Sequence, residues 1–239
     1  MPARLPAPDV IEESGAVLVL NKPGGLLTQA PPGIDSLELR TRRWLIERDQ
    51  KPGNAYVGVP HRLDRPVSGI MLMCKNVRAA RRISEQLEQR TVRKTYVAIV
   101  SGVPELESGT WTDFMRKVPD EARSEIVPPD HPDAKNAVLH FRAVVSSGSH
   151  TLIEIELETG RTHQIRLQCS THGHPIIGDE LYGSEIEFGP STLDHRKRWI
   201  ALHSRRIEFI HPMTKEPMKF VAPFSGHWSD FHELTSHVE

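Results

Sequence analysis

Two short segments bring together residue types that can do chemistry. His61-Arg62-Leu63-Asp64-Arg65-Pro66-Val67-Ser68-Gly69 sets a carboxylate between two arginines in a turn just ahead of an apolar strand. Neighbouring positive charge keeps such an aspartate ionised, which suits a nucleophile or an anchored base better than a general acid; a loop aspartate simply paired to arginine fits the same pattern. Gly160-Arg161-Thr162-His163-Gln164-Ile165-Arg166 opens with a glycine turn and offers Thr162 as a helix N-cap, so Arg166 falls one turn after His163 on the same face. Backbone donors at that helix start suit a phosphate or a carboxylate, and a surface amphipathic helix is the plainer reading.

Other constellations compete with these. Ser68 beside His61 and Asp64 invites a hydrolase triad, but three residues in one turn rarely reach triad geometry. Cys169, His172 and His174 form C-x-x-H-x-H with His163 nearby, a spacing that can suit zinc. Gly173 breaks the helix between the two histidines and no carboxylate or second cysteine pair completes the set, so no metal is expected, and a metal-dependent hydrolase stays as an alternative. A phosphate-binding P-loop fails, because Gly24-Gly25 is followed by Leu26-Leu27-Thr28. The 13 histidines suit either a pH-responsive binding module or scattered surface positions.

Composition narrows the classes. The 239 residues carry 30 Lys+Arg against 31 Asp+Glu, a formal charge of −1, which argues against a polyanion partner until the distribution is read. Lys75, Arg78, Arg81, Arg82, Arg90, Arg93 and Lys94 stand against only Glu85 and Glu88, whereas the stretch 105–133 is predominantly acidic. Arg40, Arg42 and Arg43, then Arg196, Lys197 and Arg198, form further basic clusters. A chain so polarised can turn one basic face to nucleic acid while staying neutral overall, although solvated helix faces give the same pattern. The longest apolar runs, 16–20 and 70–74, fall far short of the roughly 20 residues of a membrane span. No signal-like apolar core and no N-x-Ser/Thr site occur, and Cys74 and Cys169 cannot make a disulfide framework; reduced thiols in the cytoplasm are expected.

The elements that must position these residues can be read in outline. Strands are expected at 16–21, 69–75, 95–100, 110–115, 137–145, 151–157, 206–210 and 218–221. Helices are expected from Ser36 as cap to about Arg48, over 77–89 with Ala80, Ile83 and Leu87 inward and its arginines outward, and from Thr162 to before Gly173. Residues 138–145 alternate imperfectly, so that strand should be half covered. Strands outnumber helices, which predicts an α+β domain on a large, mostly antiparallel mixed β-sheet flanked by helices, with an active-site cleft across the sheet.

HRLDRPVSG followed about a hundred residues later by GRTHQIR resembles the RluA-type pseudouridine synthases, with KPGGLL before them, RKTYVAIV between, and HGHPIIGDELYG and ALHSRRIEFIHPMTKEPMKFVAPF after. The resemblance runs from about Ile11 to Phe224 and implies one catalytic domain over residues 9–230, with 1–8 and 231–239 as terminal extensions. It implies an isomerase that converts uridine to pseudouridine in structured RNA, an rRNA or tRNA stem-loop, without cofactor and as a monomer. Asp64 matches the family's catalytic aspartate, Tyr96 its active-site tyrosine, Arg166 the basic residue that pairs with the aspartate, and Arg62 the arginine that helps extract the base. Arg65, Arg161, His163, Arg78, Arg81 and Arg82 are the further expected RNA contacts. The more usual Thr-Ser-Gly is here Val67-Ser68-Gly69, and Cys74 stands where alanine is more common. Many relatives carry an N-terminal S4 module, for which this sequence shows no room. A catalytically inactive RNA-binding protein of the same fold is the alternative within the resemblance.

Overall fold

The computed structural model describes residues 5–50, 52–224 and 226–238. Among them the fold is α+β, a large, mostly antiparallel β-sheet with four α-helices. The chain forms two compact units. The first holds the residues up to Lys94 with 194–197 and 204–223; the second holds 95–193, 198–203 and the residues from 224 onward. No helix among the described residues is long and apolar enough to cross a membrane.

In the first unit, β1 (Asp9–Ser14), β2 (Val17–Lys22), β3 (Ser68–Cys74) and β9 (Leu202–Ile210, of which the unit holds 204–210) lie side by side in that order, with β10 (Pro217–Val221) paired to β9. All six residues of β2 are buried, as expected for an apolar run covered on both faces. Strand alternation sends Val17 and Val19 to one side, where with Ile70, Leu72 and Cys74 they pack against Ala79 and Ile83 of α2 (Val77–Glu88). The same alternation puts Lys22 on the opposite side with Leu18 and Leu20, across from Gly69 in the register. Helix α1 (Leu37–Arg48) starts as expected at Ser36, whose Oγ accepts from the Leu39 amide at 3.2 Å. Its first turn is tied to the segment after β2, Leu37 N to Leu27 O at 2.8 Å and Glu38 N to Thr28 O at 3.1 Å. Helix α2 has Asn76 as its cap, and Ala79 is fully buried where Ala80 and Leu87 are only partly covered.

Gly69, the last residue of the HRLDRPVSG turn, has φ +109°, and a Cβ there would lie 2.4 Å from the Ser204 carbonyl oxygen. Both the backbone angle and the contact with main chain exclude a side chain. Gly69→Ala is therefore expected to cost on the order of 3 kcal/mol, read by denaturant unfolding; a loss below about 1 kcal/mol would show that β3 and β9 can part without penalty.

In the second unit the order is β4 (Arg93–Ser101, from Thr95), β8 (His150–Leu157), β7 (Lys135–Ser147), β5 (Ser108–Lys117) and β6 (Ser124–Ile126). The broken alternation of 138–145 comes from a β-bulge between Ala143 and Val145. Helix α3 (Gln164–Thr171) lays Leu167 on Met115, Ala137 and Tyr182. Thr162 is not its cap: the helix starts two residues later, behind His163 at φ +56° with no side-chain capping bond, and the Thr162 carbonyl instead accepts from Ser124 Oγ at 2.8 Å. Helix α4 (His232–Thr235) buries Leu234 and Thr235 in the stretch read from sequence as a terminal extension. The elements not foreseen, β1, β6 and α4, are short and have little apolar periodicity of their own.

Candidate active site

In the first unit two loops clasp each other around Asp64. Thr28 Oγ1 donates to Leu63 O at 2.9 Å and accepts from Leu63 N at 3.2 Å, while Arg65 Nε donates to Gly25 O at 3.0 Å. Lys22, with no exposed surface, closes the clasp: its ammonium donates to Pro23 O at 2.9 Å, Leu26 O at 2.8 Å and Arg65 O at 3.2 Å. An ammonium has three protons, so these three carbonyls satisfy it fully. The turn itself closes with Val67 N on Asp64 O at 3.1 Å, and Leu63, Val67 and Ser68 are buried while Asp64 keeps partial exposure. Each of these bonds holds loop backbone.

Lys22 and Asp64 also interact by charge. Burial moves the Lys22 ammonium from 10.5 down to about 7, with Asp64 opposing the shift and Arg65 adding to it. The unfolded lysine keeps its proton up to 10.5 whereas the folded one begins to release it near 7. Between those values the unfolded chain binds more protons, so Lys22's contribution to stability rises with pH across that window. Against Lys22→Met, the wild type is expected to gain relative stability between about pH 6.5 and about pH 9.5 in denaturant unfolding. A difference between the two proteins that does not change with pH would contradict the shift.

His61 is not a general base. Its Nε2 accepts from the Leu72 amide at 2.9 Å, and burial pushes its pKa from 6.5 to about 3, with Lys94 adding to the shift. The imidazole is therefore neutral near pH 7 with its acceptor nitrogen engaged, which removes the Ser68, His61, Asp64 triad.

Tyr96 and Arg166 belong to the second unit. Tyr96 is buried on β4 opposite Ile155 of β8. Arg166, 5% exposed on α3, is gripped by Asp179, 1% exposed, in a bidentate pair: Nε to Oδ2 at 2.6 Å and Nη2 to Oδ1 at 2.7 Å. Asp179 is a partner that sequence reasoning did not foresee. Gly178 just before it has φ +87°, and a Cβ there would meet the Trp199 carbonyl at 2.6 Å, which gives the Gly-Asp pair of GDELYG a backbone reason. His163 and Arg166 do share a face, since both reach Tyr182: His163 Nδ1 is 2.9 Å from its hydroxyl and the Arg166 guanidinium carbon 5.0 Å from its ring centre.

Beneath α3 lies a buried amide network. Gln164 Oε1 accepts from Thr159 Oγ1 at 2.8 Å and Arg161 N at 3.0 Å, and its Nε2 donates to Val138 O and to Gln168 Oε1. Gln168 in turn donates to Asp113 Oδ2 at 2.8 Å. Such a network ties the helix to β5 and β7. The C-x-x-H-x-H residues are each held separately. Cys169 is fully buried with its thiol pushed well up by burial, His172 stacks on Trp111 and meets Asp113 Oδ2 at 3.0 Å, and His174 Nδ1 faces Ser101 O at 3.0 Å. No group of three His, Cys, Asp or Glu among the described residues is placed to hold a metal ion.

The basic residues expected at RNA split in two. Arg62, Arg78, Arg81 and Arg161 are exposed, with Arg81 beside Glu85 at 3.2 Å and Arg161 Nε on Asn136 O at 3.1 Å. Arg82, expected to face outward, is half-buried and donates to Pro212 O at 2.7 Å, and Arg65 is half-buried on Gly25 O; both therefore help hold the fold.

The family model described as RNA pseudouridylate synthase matches residues 16–171, which take in the Lys22 and Asp64 loops, β4 with Tyr96, and α3 with Arg166. The chain belongs to that family. It is 35% identical over 225 residues to ribosomal large subunit pseudouridine synthase D of Xylella fastidiosa, covering 90% of this chain and 65% of that protein. It is 34% identical over 222 residues to the uncharacterized RNA pseudouridine synthase YhcT of Bacillus subtilis, covering 90% and 68%. The chain thus spans about two thirds of the length of these curated relatives. In fold it resembles human RNA pseudouridylate synthase domain containing 4, with a TM-score of 0.75 at 21% identity over 96% of this chain and 92% of that one. Within this family frame Lys22, Thr28, Asp179 and Tyr182 are the residues that sequence reasoning left without a role. For Lys22 the signal was a lysine at the end of a buried strand, and for Asp179 and Tyr182 the Gly-Asp and Leu-Tyr pairs of GDELYG; Thr28 had none.

Proposed function

We propose that this chain is an RNA pseudouridine synthase, with residues 9–230 as its catalytic domain. The observation that carries the reading is the Asp64 turn: a carboxylate kept partly exposed on a loop whose backbone is fixed by Lys22, Thr28 and Arg65, in a chain of the pseudouridylate synthase family. Breaking N1–C1′, turning the uracil and joining C5 to C1′ conserves all atoms and needs no redox partner. What the protein supplies is a fixed carboxylate, a dry pocket and a grip on the detached base. By the family resemblance Asp64 is the carboxylate, Arg166 the basic residue of the mechanism, and Tyr96 the residue that stacks on the uracil and serves removal of the C5 proton. The uridine leaves its stack, at a cost of a few kcal/mol, and Arg62 takes the vacated place.

The substrate is a stem-loop of ribosomal or transfer RNA, where bases can be splayed out. Large-subunit rRNA, named for the relative from Xylella fastidiosa, is the first to test. Arg161, His163, Arg78 and Arg81 contribute the phosphate contacts, and the protein works in the cytoplasm as a monomer. The test is incubation of purified protein with ribosomal and transfer RNA carrying tritium at uridine C5, followed by mapping of pseudouridine. Release of tritium, unchanged after dialysis against a strong chelator, is expected. RNA that binds but releases none would make the chain an inactive binder, and activity restored only by zinc would return the Cys169, His172, His174 set to the mechanism.

A further inference from the structure

Tyr182 closes a short turn (Glu180–Tyr182) and is 7% exposed, its ring packed with Met115, Ala137 and Leu167. A buried tyrosine needs one partner for its hydroxyl; this one joins three segments. Its oxygen accepts from the Ser124 amide at 2.9 Å and meets His163 Nδ1 at 2.9 Å, while Ser124 O is 3.5 Å away. The phenol proton goes to His163 Nδ1 or to Ser124 O according to the His163 tautomer, and in either case the hydroxyl and Nδ1 share a hydrogen bond. That bond anchors a residue whose backbone sits at φ +56°, a region a non-glycine residue keeps only when its surroundings impose it.

The ring has a second task. Its centre is 5.0 Å from the guanidinium carbon of Arg166, and Asp179, three residues earlier, holds Nε and Nη2 of the same group. One turn thus holds Arg166 on its edge through a carboxylate and sets an aromatic ring under its guanidinium carbon. The ring under the guanidinium carbon adds a second restraint to the edge held by Asp179.

We propose that Tyr182 is a positioning residue: its ring holds the Arg166 guanidinium in place for the reaction, and its hydroxyl sets His163 and the Gly160–Arg166 segment for RNA. The role rests on the assignment of Arg166 and Asp64 to catalysis made above. The two halves separate by substitution. Tyr182→Phe keeps the ring and deletes the hydroxyl; pentafluorophenylalanine at 182 keeps the phenylalanine shape and reverses the charge of the ring face.

Steady-state kinetics on the RNA substrate reads both. With Tyr182→Phe, KM is expected to rise about 5-fold with kcat nearly unchanged, the loss of one neutral hydrogen bond. The fluorinated residue, compared with Phe, is expected to lower kcat about 5-fold at the same KM, the loss of one cation–π contact. A purely structural tyrosine would lower the melting temperature in both and leave kcat and KM alone well below it. Unchanged KM in the Phe variant, or unchanged kcat in the fluorinated one, overturns the proposal. Asp64→Asn is assayed alongside: if it is active, the assignment of the site fails, whereas an inactive Asp64→Asn beside flat Tyr182 variants fails Tyr182 alone.

Discussion

Asp64→Asn is expected to bind RNA as the wild type does and to form no pseudouridine. The carboxamide matches the carboxylate in shape but can neither attack carbon nor act as an ionised base. The variant keeps the bonds that clasp the backbone of the turn, which run through the carbonyls of Leu63 and Arg65 and the hydroxyl of Thr28. Melting temperature and RNA affinity are therefore the controls, and both should stay at wild type. Residual turnover above about a tenth of wild type, reproducible in clean protein, would remove Asp64 from the mechanism.

Asp179→Ala is expected to destabilise the protein by about 3–5 kcal/mol, because it leaves the Arg166 charge at 5% exposure without its bidentate partner. In a chain of this size that corresponds to a fall of roughly 10 °C in melting temperature. Arg166→Ala should destabilise through the same pair, leaving Asp179 buried and uncompensated, so its loss of turnover has to be read at a temperature where the variant is folded. Replacing both residues by apolar ones of similar size, Arg166→Met with Asp179→Leu, should recover most of the stability and none of the turnover. That contrast separates the structural cost of a broken pair from catalysis. Full turnover in the double variant would remove Arg166 from the site, and a loss below about 1 kcal/mol in Asp179→Ala would show that solvent reaches the pair.

Local chemistry along the chain was enough for several elements. Ser36 at a helix start and the apolar runs of β2 and β3 act through caps and burial patterns that neighbouring residues set. The Asp64 turn was legible for the same reason: a carboxylate between two arginines before a Ser-Gly pair is a local pattern, and Gly69 carries the local requirement of a positive φ. The Gly160–Arg166 segment stood out by its glycine turn and its His163 and Arg166 spacing, whereas Tyr96, which nothing in its immediate surroundings marks out, came from the family-specific segment around it.

Long-range contact decided the rest. β1 and β6 exist because β2 and β5 offer them unpaired edges, not because their own residues insist on being strands. The start of α3 was misplaced at Thr162, whose carbonyl is engaged by Ser124 from 38 residues away, a bond that sequence spacing does not announce. Lys22 reads as an ordinary charged end to an apolar strand until three carbonyls, one of them 43 residues distant, are seen to surround it. Arg166 likewise carries its charge in the sequence, but its carboxylate partner 13 residues on and the tyrosine face beneath it arise only when α3 and the turn at 180–182 are folded together. The sequence by itself determined which charged groups the protein has; which of them are buried, and therefore which must be paired, was decided by tertiary structure, because desolvation depends on everything packed around a group and not on its neighbours in the chain.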